Sequence, residues 1–345
     1  MRKLFLSLLM VATSAFLGCD TTTTDQPGVI HGVVMQEGVG VNGVTVELSG
    51  DAHMDTTTDN DGQYSFESLD LGTYTVSPSK EFLTSTPERI DVILGENSPE
   101  ATDVDFDVEL ISDNPNAGCE ERVWRGDYVI LSFLGIYPLM GYTEITGNLT
   151  ISGTTAFNLR GLDCLKHVGG SLTIAGNALN DLSGLDNLTS IGRHLTISGN
   201  AFVSLDGLES LQSVGGSLTI TTTSFLNMNA LSNLTSVDNI SIIANPTLLS
   251  LKGLNGITDA GNVTILANPL ITSSSGLENL KTVNGFLFIR DNTYLSSLGL
   301  TSLESVDNNF SVIENINLCT NLAEELADGI SVGGTVNITA NKICP

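Results

Sequence analysis

From Leu149 onward one three-residue phrase, apolar–polar–apolar, recurs at nearly fixed spacing, and this restricts the fold more than any other feature. It reads Leu149-Thr150-Ile151, Leu172-Thr173-Ile174, Leu195-Thr196-Ile197, Leu218-Thr219-Ile220, Ile240-Ser241-Ile242, Val263-Thr264-Ile265, Leu287-Phe288-Ile289, Phe310-Ser311-Val312 and Val336-Asn337-Ile338. Successive starts lie 22 to 26 residues apart, with 23 the commonest step. Five residues after a start comes Asn177, Asn200, Asn245, Asn268, Asn292, Asn315 or Asn341, with Thr154 and Thr223 as exceptions. Apolar residues then return every third position, as in Leu182, Leu185, Leu188 and Ile191. A fixed period of this length marks a solenoid. One coil is one strand, one Asn corner and a Leu-lined return, and only stacking of coils buries the apolar edge. An Asn at such a turn bonds backbone groups of the neighbouring coils and tolerates left-handed geometry.

The phrase Leu-x-Gly-Leu-x-x-Leu-x-Ser-Val-Gly-Gly-x-Leu-Thr-Ile, read from Leu205 onward, resembles the receptor L domain. An ordinary leucine-rich repeat shares its core and stands as the alternative. The resemblance covers residues 119–345 and implies a right-handed parallel β-helix that binds partners on its outer faces. Receptor signalling is not expected, because no cysteine-rich module, membrane helix or kinase accompanies the repeats. Beyond Cys19, the cysteines are Cys119, Cys164, Cys319 and Cys344, an even number that suits a disulfide framework in an exported chain. One pair brackets the opening coils and the other the last coils, so bridges Cys119–Cys164 and Cys319–Cys344 are expected at the ends, with free thiols as the alternative.

Export itself is written at the start. Arg2 and Lys3 precede an apolar run from Leu4 to Leu17 that stops at Gly18-Cys19-Asp20. A basic stretch followed by a short apolar one is a secretory signal, too short for a membrane span. Phe16-Leu17-Gly18-Cys19 resembles a bacterial lipobox, with Phe where Leu is usual. The resemblance implies a signal at 1–18, cleavage before Cys19 and acylation of Cys19, which anchors the chain to the envelope. The outer membrane or cell surface is the expected address. Residues 19–27 read as a tether.

Residues 28–112 carry strand alternation. Val44-Thr45-Val46-Glu47-Leu48 alternates cleanly, and between Asp103 and Leu110 four acids take one face while Val104, Phe106, Val108 and Leu110 take the other. The order Gly43-Val44-Thr45-Val46, Thr58-Asp59-Asn60-Asp61-Gly62-Gln63-Tyr64-Ser65-Phe66, Leu71-Gly72-Thr73-Tyr74 resembles carboxypeptidase regulatory-like and adhesin B-type modules. Both imply an Ig-like or prealbumin-like β-sandwich serving as a spacer, with 113–118 as linker. Gly38, Gly40 and Gly43 spell a dinucleotide fingerprint, but a strand follows where a helix is needed, so a hairpin is expected. Asp59-Asn60-Asp61-Gly62 hints at calcium. As an EF-hand loop it would begin at Thr57 and end at Ser68, without the required acids, so a plain turn is the better reading. With 18 acids against Lys80 and Arg89 over residues 27–113, a net of −16, loose divalent binding would be unsurprising.

The fold class expected is all-β. Function is constrained by charge: 13 basic against 39 acidic residues give −26, which excludes nucleic acid as a partner. Four His supply no metal spacing and no catalytic motif, and no cofactor is expected. The middle residues of the strand phrases form an outward column that includes Thr219, Thr264 and Phe288. Two residues on, Ile243, Leu266, Arg290 and Ile313 form a second. Adjacent rungs lie about 4.8 Å apart, so these residues make a candidate binding face for protein or glycan. Arg125-Gly126-Asp127 reads as a turn rather than an adhesion tripeptide. Sequons such as those at Asn148, Asn187 and Asn233 arise from the repeat wording. The reading is a lipid-anchored, non-catalytic recognition protein; the alternatives are a passive envelope spacer and a glycan-active enzyme.

Overall fold

A computed structural model describes residues 27–36, 38–79, 83–110, 119, 121–154, 158–200 and 202–344. The expected signal at 1–18, Cys19 with its expected acylation and nearly all of the expected tether therefore lie outside the described residues, as does the linker. The chain is all-β, with a sandwich-like unit followed by a solenoid of about 9 turns at roughly 23 residues per coil.

The sandwich has two sheets. In one, Gly28–Gln36 pairs with Val39–Gly40, Gln63–Leu69, Glu100–Ala101 and Phe106–Leu110, and the last of these pairs with Leu83–Thr86. In the other the order is Met54–Thr57, Thr45–Gly50, Gly72–Ser79 and Ile90–Leu94. Alternation explains the core: Val44, Val46, Leu48, Tyr74, Val76, Phe106 and Val108 are buried. Gln36 pairs with Val39 and Met35 with Gly40 in an antiparallel hairpin, so a hairpin with Gly40 in its second strand stands where a dinucleotide site needs a helix, as the sequence indicates. One boundary differs: the strand ending at Leu110 begins at Phe106, because Asp103 takes φ +59° and bends the chain before it.

In the solenoid the strand phrases stack in parallel register, Leu172 on Leu149, Leu195 on Leu172, and so on to Val336 on Phe310. Each coil carries a second strand that the sequence reading missed. These are two-residue strands such as His167–Val168, Ser190–Ile191 and Thr282–Val283. In two coils both strands run together, as Ser213–Thr221 and Ser236–Ile243. The last step is long because a helix, Thr320–Gly329, replaces the Leu-lined return.

What locks one coil to the next is the Asn corner. The Asn177 amide donates to Asn200 Oδ1 at 3.0 Å, and the Asn200 side-chain amide donates to the Ile174 carbonyl at 2.8 Å. The same pattern links Asn245 to Asn268, Asn268 to Asn292, and Asn292 to Asn315. Asn245, Asn268, Asn292 and Asn315 are fully buried, so each satisfies backbone groups that water cannot reach. The left-handed residue is not the Asn, as expected from its tolerance, but the one before it. Gly153, Gly176 and Gly199 hold φ near +60° in the early coils, and Thr222, Ala244, Ala267, Asp291, Glu314 and Ala340 hold +50° to +57° in the later ones. A side chain there costs on the order of 1 kcal/mol, which the ladder offsets. Glycine is also required at Gly184, where φ is +109° and a Cβ would lie 2.1 Å from the Leu159 carbonyl oxygen of the preceding coil.

Both expected disulfides are present, Cys119–Cys164 and Cys319–Cys344. Loops of this size restrain the unfolded chain by about 3–4 kcal/mol each.

Two substitutions separate these contributions in chemical denaturation. Asn268→Leu strands the Asn245 amide and the Ile242 carbonyl and is expected to cost about 3 kcal/mol. Ala267→Gly relieves the left-handed strain and is expected to be neutral or to stabilise by up to about 1 kcal/mol.

Candidate functional site

The parallel register brings the predicted strand face together. Thr219 lies beside Ser241, Ser241 beside Thr264, and Thr264 beside Phe288; in the second column Ile243 lies beside Leu266, Leu266 beside Arg290, and Arg290 beside Ile313. The face points outward but is only half-buried except at Arg290, which is exposed. Arg290 is engaged: its Nε and Nη2 both lie 2.8 Å from Glu314 Oε2. An exposed ion pair of this kind contributes little to stability; it ties Arg290 to the next coil.

A more exposed apolar surface lies past the Asn corner, where the sequence reading did not look. Val203, Leu226 and Leu249 are 66%, 48% and 50% exposed. On later coils a second set, Leu270, Tyr294 and Ile316, is exposed at 37%, 56% and 60%, standing one or two residues before the inward Ile271, Leu295 and Leu318 rather than after them. Two hydrogen bonds fix the stacking, from the Leu249 amide to the Leu226 carbonyl at 2.9 Å and from the Tyr294 amide to the Pro269 carbonyl at 3.0 Å. The signal was available in the wording. In Phe202-Val203, Phe225-Leu226 and Leu248-Leu249 two large apolar residues stand side by side. The first of each pair fills the core, so the second must face out. Large apolar side chains exposed on consecutive coils are the usual mark of a contact surface.

Other candidate groups are structurally committed. Asp186 and Glu209 accept hydrogen bonds from the amides of Gly184 and Gly207, at 2.7 and 2.8 Å, and Glu278 accepts one from Gly276. These acids cap turns rather than merely standing in solvent. Asp127 Oδ1 accepts from both the backbone and side-chain amides of Asn148, at 2.7 and 3.1 Å, so the carboxylate of the Arg-Gly-Asp tripeptide is tied to the next coil. Asn148 in turn accepts from the Ser171 amide at 2.8 Å, while Asn187 and Asn233 donate to Asp163 and Glu209 carbonyls at 2.6 Å. The sequon asparagines are thus further rungs between coils. His167 Nδ1 lies 2.8 Å from Ser190 Oγ, and His194 Nδ1 accepts from the Ser217 amide at 3.0 Å.

A cleft of ≈ 590 Å³ lies on the sandwich beside His31, Asp59, Glu67, Asp103 and Asp105. Asp59 Oδ1 accepts from the amides of Asp61 and Gln63, at 2.9 and 2.8 Å, which makes this segment a turn closed on itself. Among the described residues no group of three or more His, Cys, Asp or Glu is placed to hold a metal ion. Tyr64 lines the cleft with its ring buried, and its hydroxyl donates to the Val104 carbonyl. Burial, with the nearby Asp105 carboxylate, pushes this phenol well above the ordinary tyrosine range.

Fold and surfaces together define a two-part, all-β chain: a small sandwich and a solenoid whose outer faces are its most distinctive surface. Residues 29–109 match the family described as the carboxypeptidase regulatory-like domain. The match takes in nearly the whole sandwich and none of the solenoid. No curated protein matches the chain.

The Tyr64 environment predicts an alkaline transition. The folded state holds the neutral phenol, so its contribution is complete below about pH 10, the ordinary tyrosine value, and is lost as pH rises from there toward the raised folded value. Tyr64→Phe is expected to remove the Tyr64 share of that pH dependence, leaving the share of Tyr74, whose phenol is also raised by burial beside Asp70 and Asp51, while costing about 1 kcal/mol at neutral pH through the lost hydrogen bond. Phenolate absorbance and unfolding curves at rising pH check both effects.

Proposed function

We propose that the chain is a lipid-anchored recognition protein of a bacterial envelope, non-catalytic, that contacts a protein or glycan partner through its solenoid. Cys19 carries the anchor and the carboxypeptidase regulatory-like sandwich acts as a spacer. The receptor L-like β-helix supplies the contact surface. The observation that carries this reading is the exposed apolar series Val203, Leu226, Leu249, Leu270, Tyr294 and Ile316. Val203, Leu226 and Leu249 form one column over three consecutive coils, Leu270, Tyr294 and Ile316 expose apolar surface on the next three, and the strands carry a half-buried face of Thr, Ile, Leu and Phe side chains. Contact surfaces draw most of their affinity from such apolar and aromatic anchors, and Tyr294 offers a ring face and a hydroxyl suited to either partner class. The commitment of Asp186, Glu209 and Glu278 to turn amides favours binding over glycan cleavage, which needs free paired carboxylates.

The test is capture from envelope extracts with the purified chain against Leu226→Asp/Leu249→Asp and Phe288→Asp variants. Loss of at least about tenfold in affinity, roughly 1.4 kcal/mol, is expected for the first variant, with folding retained because those side chains already face water. Undiminished capture by both variants would sink the assignment of the contact surface. Protease treatment of intact cells, with Cys19→Ala alongside, tests the address: the solenoid should be digested, and the variant should be released from the membrane fraction.

A further inference from the structure

The two ends of the solenoid are finished differently. At the opening end Trp124 packs edge-on against Tyr128 and Tyr142, with ring centroids 4.9 and 5.7 Å apart, and Arg122 lies 4.4 Å over the Tyr142 ring. Glu121, Arg122, Arg125 and Asp127 flank Trp124 in the chain and are exposed, and Asp127 is bonded into the next coil. At the other end Val336–Thr339 is the last strand in the sheet order and pairs only with Phe310–Ile313 among the described residues. Phe310, the inward residue beneath Val336, is 0% exposed, whereas Val336 is 51% exposed and Ile343 92%.

A sheet edge is normally protected against further pairing by charges, proline or a covering loop. Here residues 329–341 contain no Asp, Glu, Lys, Arg, His or Pro, in a chain whose net charge is −26. Among the described residues the edge therefore offers unpaired backbone and an exposed apolar rung, and the strand itself bears no charge. We infer that this edge is an interface with a second copy of the same chain, the two Val336–Thr339 strands pairing antiparallel about a two-fold axis.

Three features select that occupant. A strand edge is satisfied by another strand, and the second copy brings an identical, uncharged one. A two-fold contact closes on itself, so it yields a dimer rather than a fibre. The opening end of another copy is a poor match, because its aromatic lid and ion-bearing rim would be set against apolar Val336 and Ile338. Two copies of so acidic a chain repel one another over most of their surface; at this end the acids Glu324, Glu325 and Asp328 stand on the helix Thr320–Gly329 and not on the strand edge itself, so the two edges meet without carboxylates of their own.

The experiment is sedimentation of the purified full chain at micromolar concentration and physiological salt, beside a Val336→Lys/Ile338→Lys variant. Twice the 36.3 kDa chain mass is expected for the parent, less any leader removed, and monomer for the variant. Unchanged circular dichroism in the variant separates loss of the interface from loss of folding. In a second arm, Asn337→Cys is treated with a short bis-maleimide. Antiparallel pairing sets opposed Cβ atoms about 5 Å apart, so a single cross-linked dimer band should form, absent from the parent. A monomeric parent with no cross-link overturns the inference. So does a ladder of higher multimers, or a dimer that survives both lysines, which would place the contact elsewhere. A heterologous envelope protein cross-linked at Asn337→Cys in cells, with the purified chain monomeric, would assign the edge to a different partner and equally refute the dimer.

Discussion

The buried asparagine ladder is the interaction on which the solenoid depends. A parallel stack of short strands leaves every corner with backbone amides and carbonyls pointing into the core, where each unpaired group costs about 1–3 kcal/mol. A carboxamide is the side chain that accepts and donates at once. Asn292 shows the full set: Oδ1 accepts from Asn268 of the coil before, while the side-chain amide donates to Ile265, Arg290 and Asn315. That geometry holds the ladder residue in the same place on each coil, which explains why the repeat hardly varies in length. It also explains the strained backbone. The residue before each Asn is left-handed whether or not it is glycine, because the carboxamide reaches its partners only from that corner.

Where the ladder is altered, the chain compensates locally. Thr223 stands in an Asn position; its hydroxyl donates to Asn245 Oδ1 at 2.7 Å and its amide to the same oxygen at 3.1 Å. Its side chain has no amide to reach back across the coil, and at that step Phe202 and Phe225 stack with centroids 6.5 Å apart. The short and full strands also merge here into Ser213–Thr221 and Ser236–Ile243, adding backbone pairing beside the weakened corner. The same economy of contacts leaves the outer faces free to vary in sequence, so recognition and folding draw on different positions of one repeat.

Much of this was legible in the sequence because a period carries its own register. The strand phrase, the Asn corner, the inward Leu columns and both disulfides could be read from spacing, and the sandwich from alternation. What escaped detection lacked a period of its own. The two-residue strands are too short to show alternation. The helix Thr320–Gly329 was announced only by the 26-residue final step. Turn-capping by Asp186 and Glu209 depends on a left-handed glycine two residues earlier, which no pattern of hydropathy encodes. The candidate face was half found: Ile243, Leu266 and Ile313 were located on the outside, but spacing alone could not tell how deeply neighbours would cover them, nor that Leu226 and Leu249 would stand further out.

Residue-resolved hydrogen exchange tests the ladder most directly. Amides that donate to a carboxamide of the next coil, those of Asn177, Asn245, Asn268 and Asn292, should exchange only through global opening. The amide of Asn200, which faces Thr223 in place of an Asn, should be measurably less protected. Fast exchange at Asn245, Asn268 and Asn292, or protection that ignores the Thr223 step, would show that apolar stacking alone holds the coils together and that the asparagines follow the fold rather than fix it.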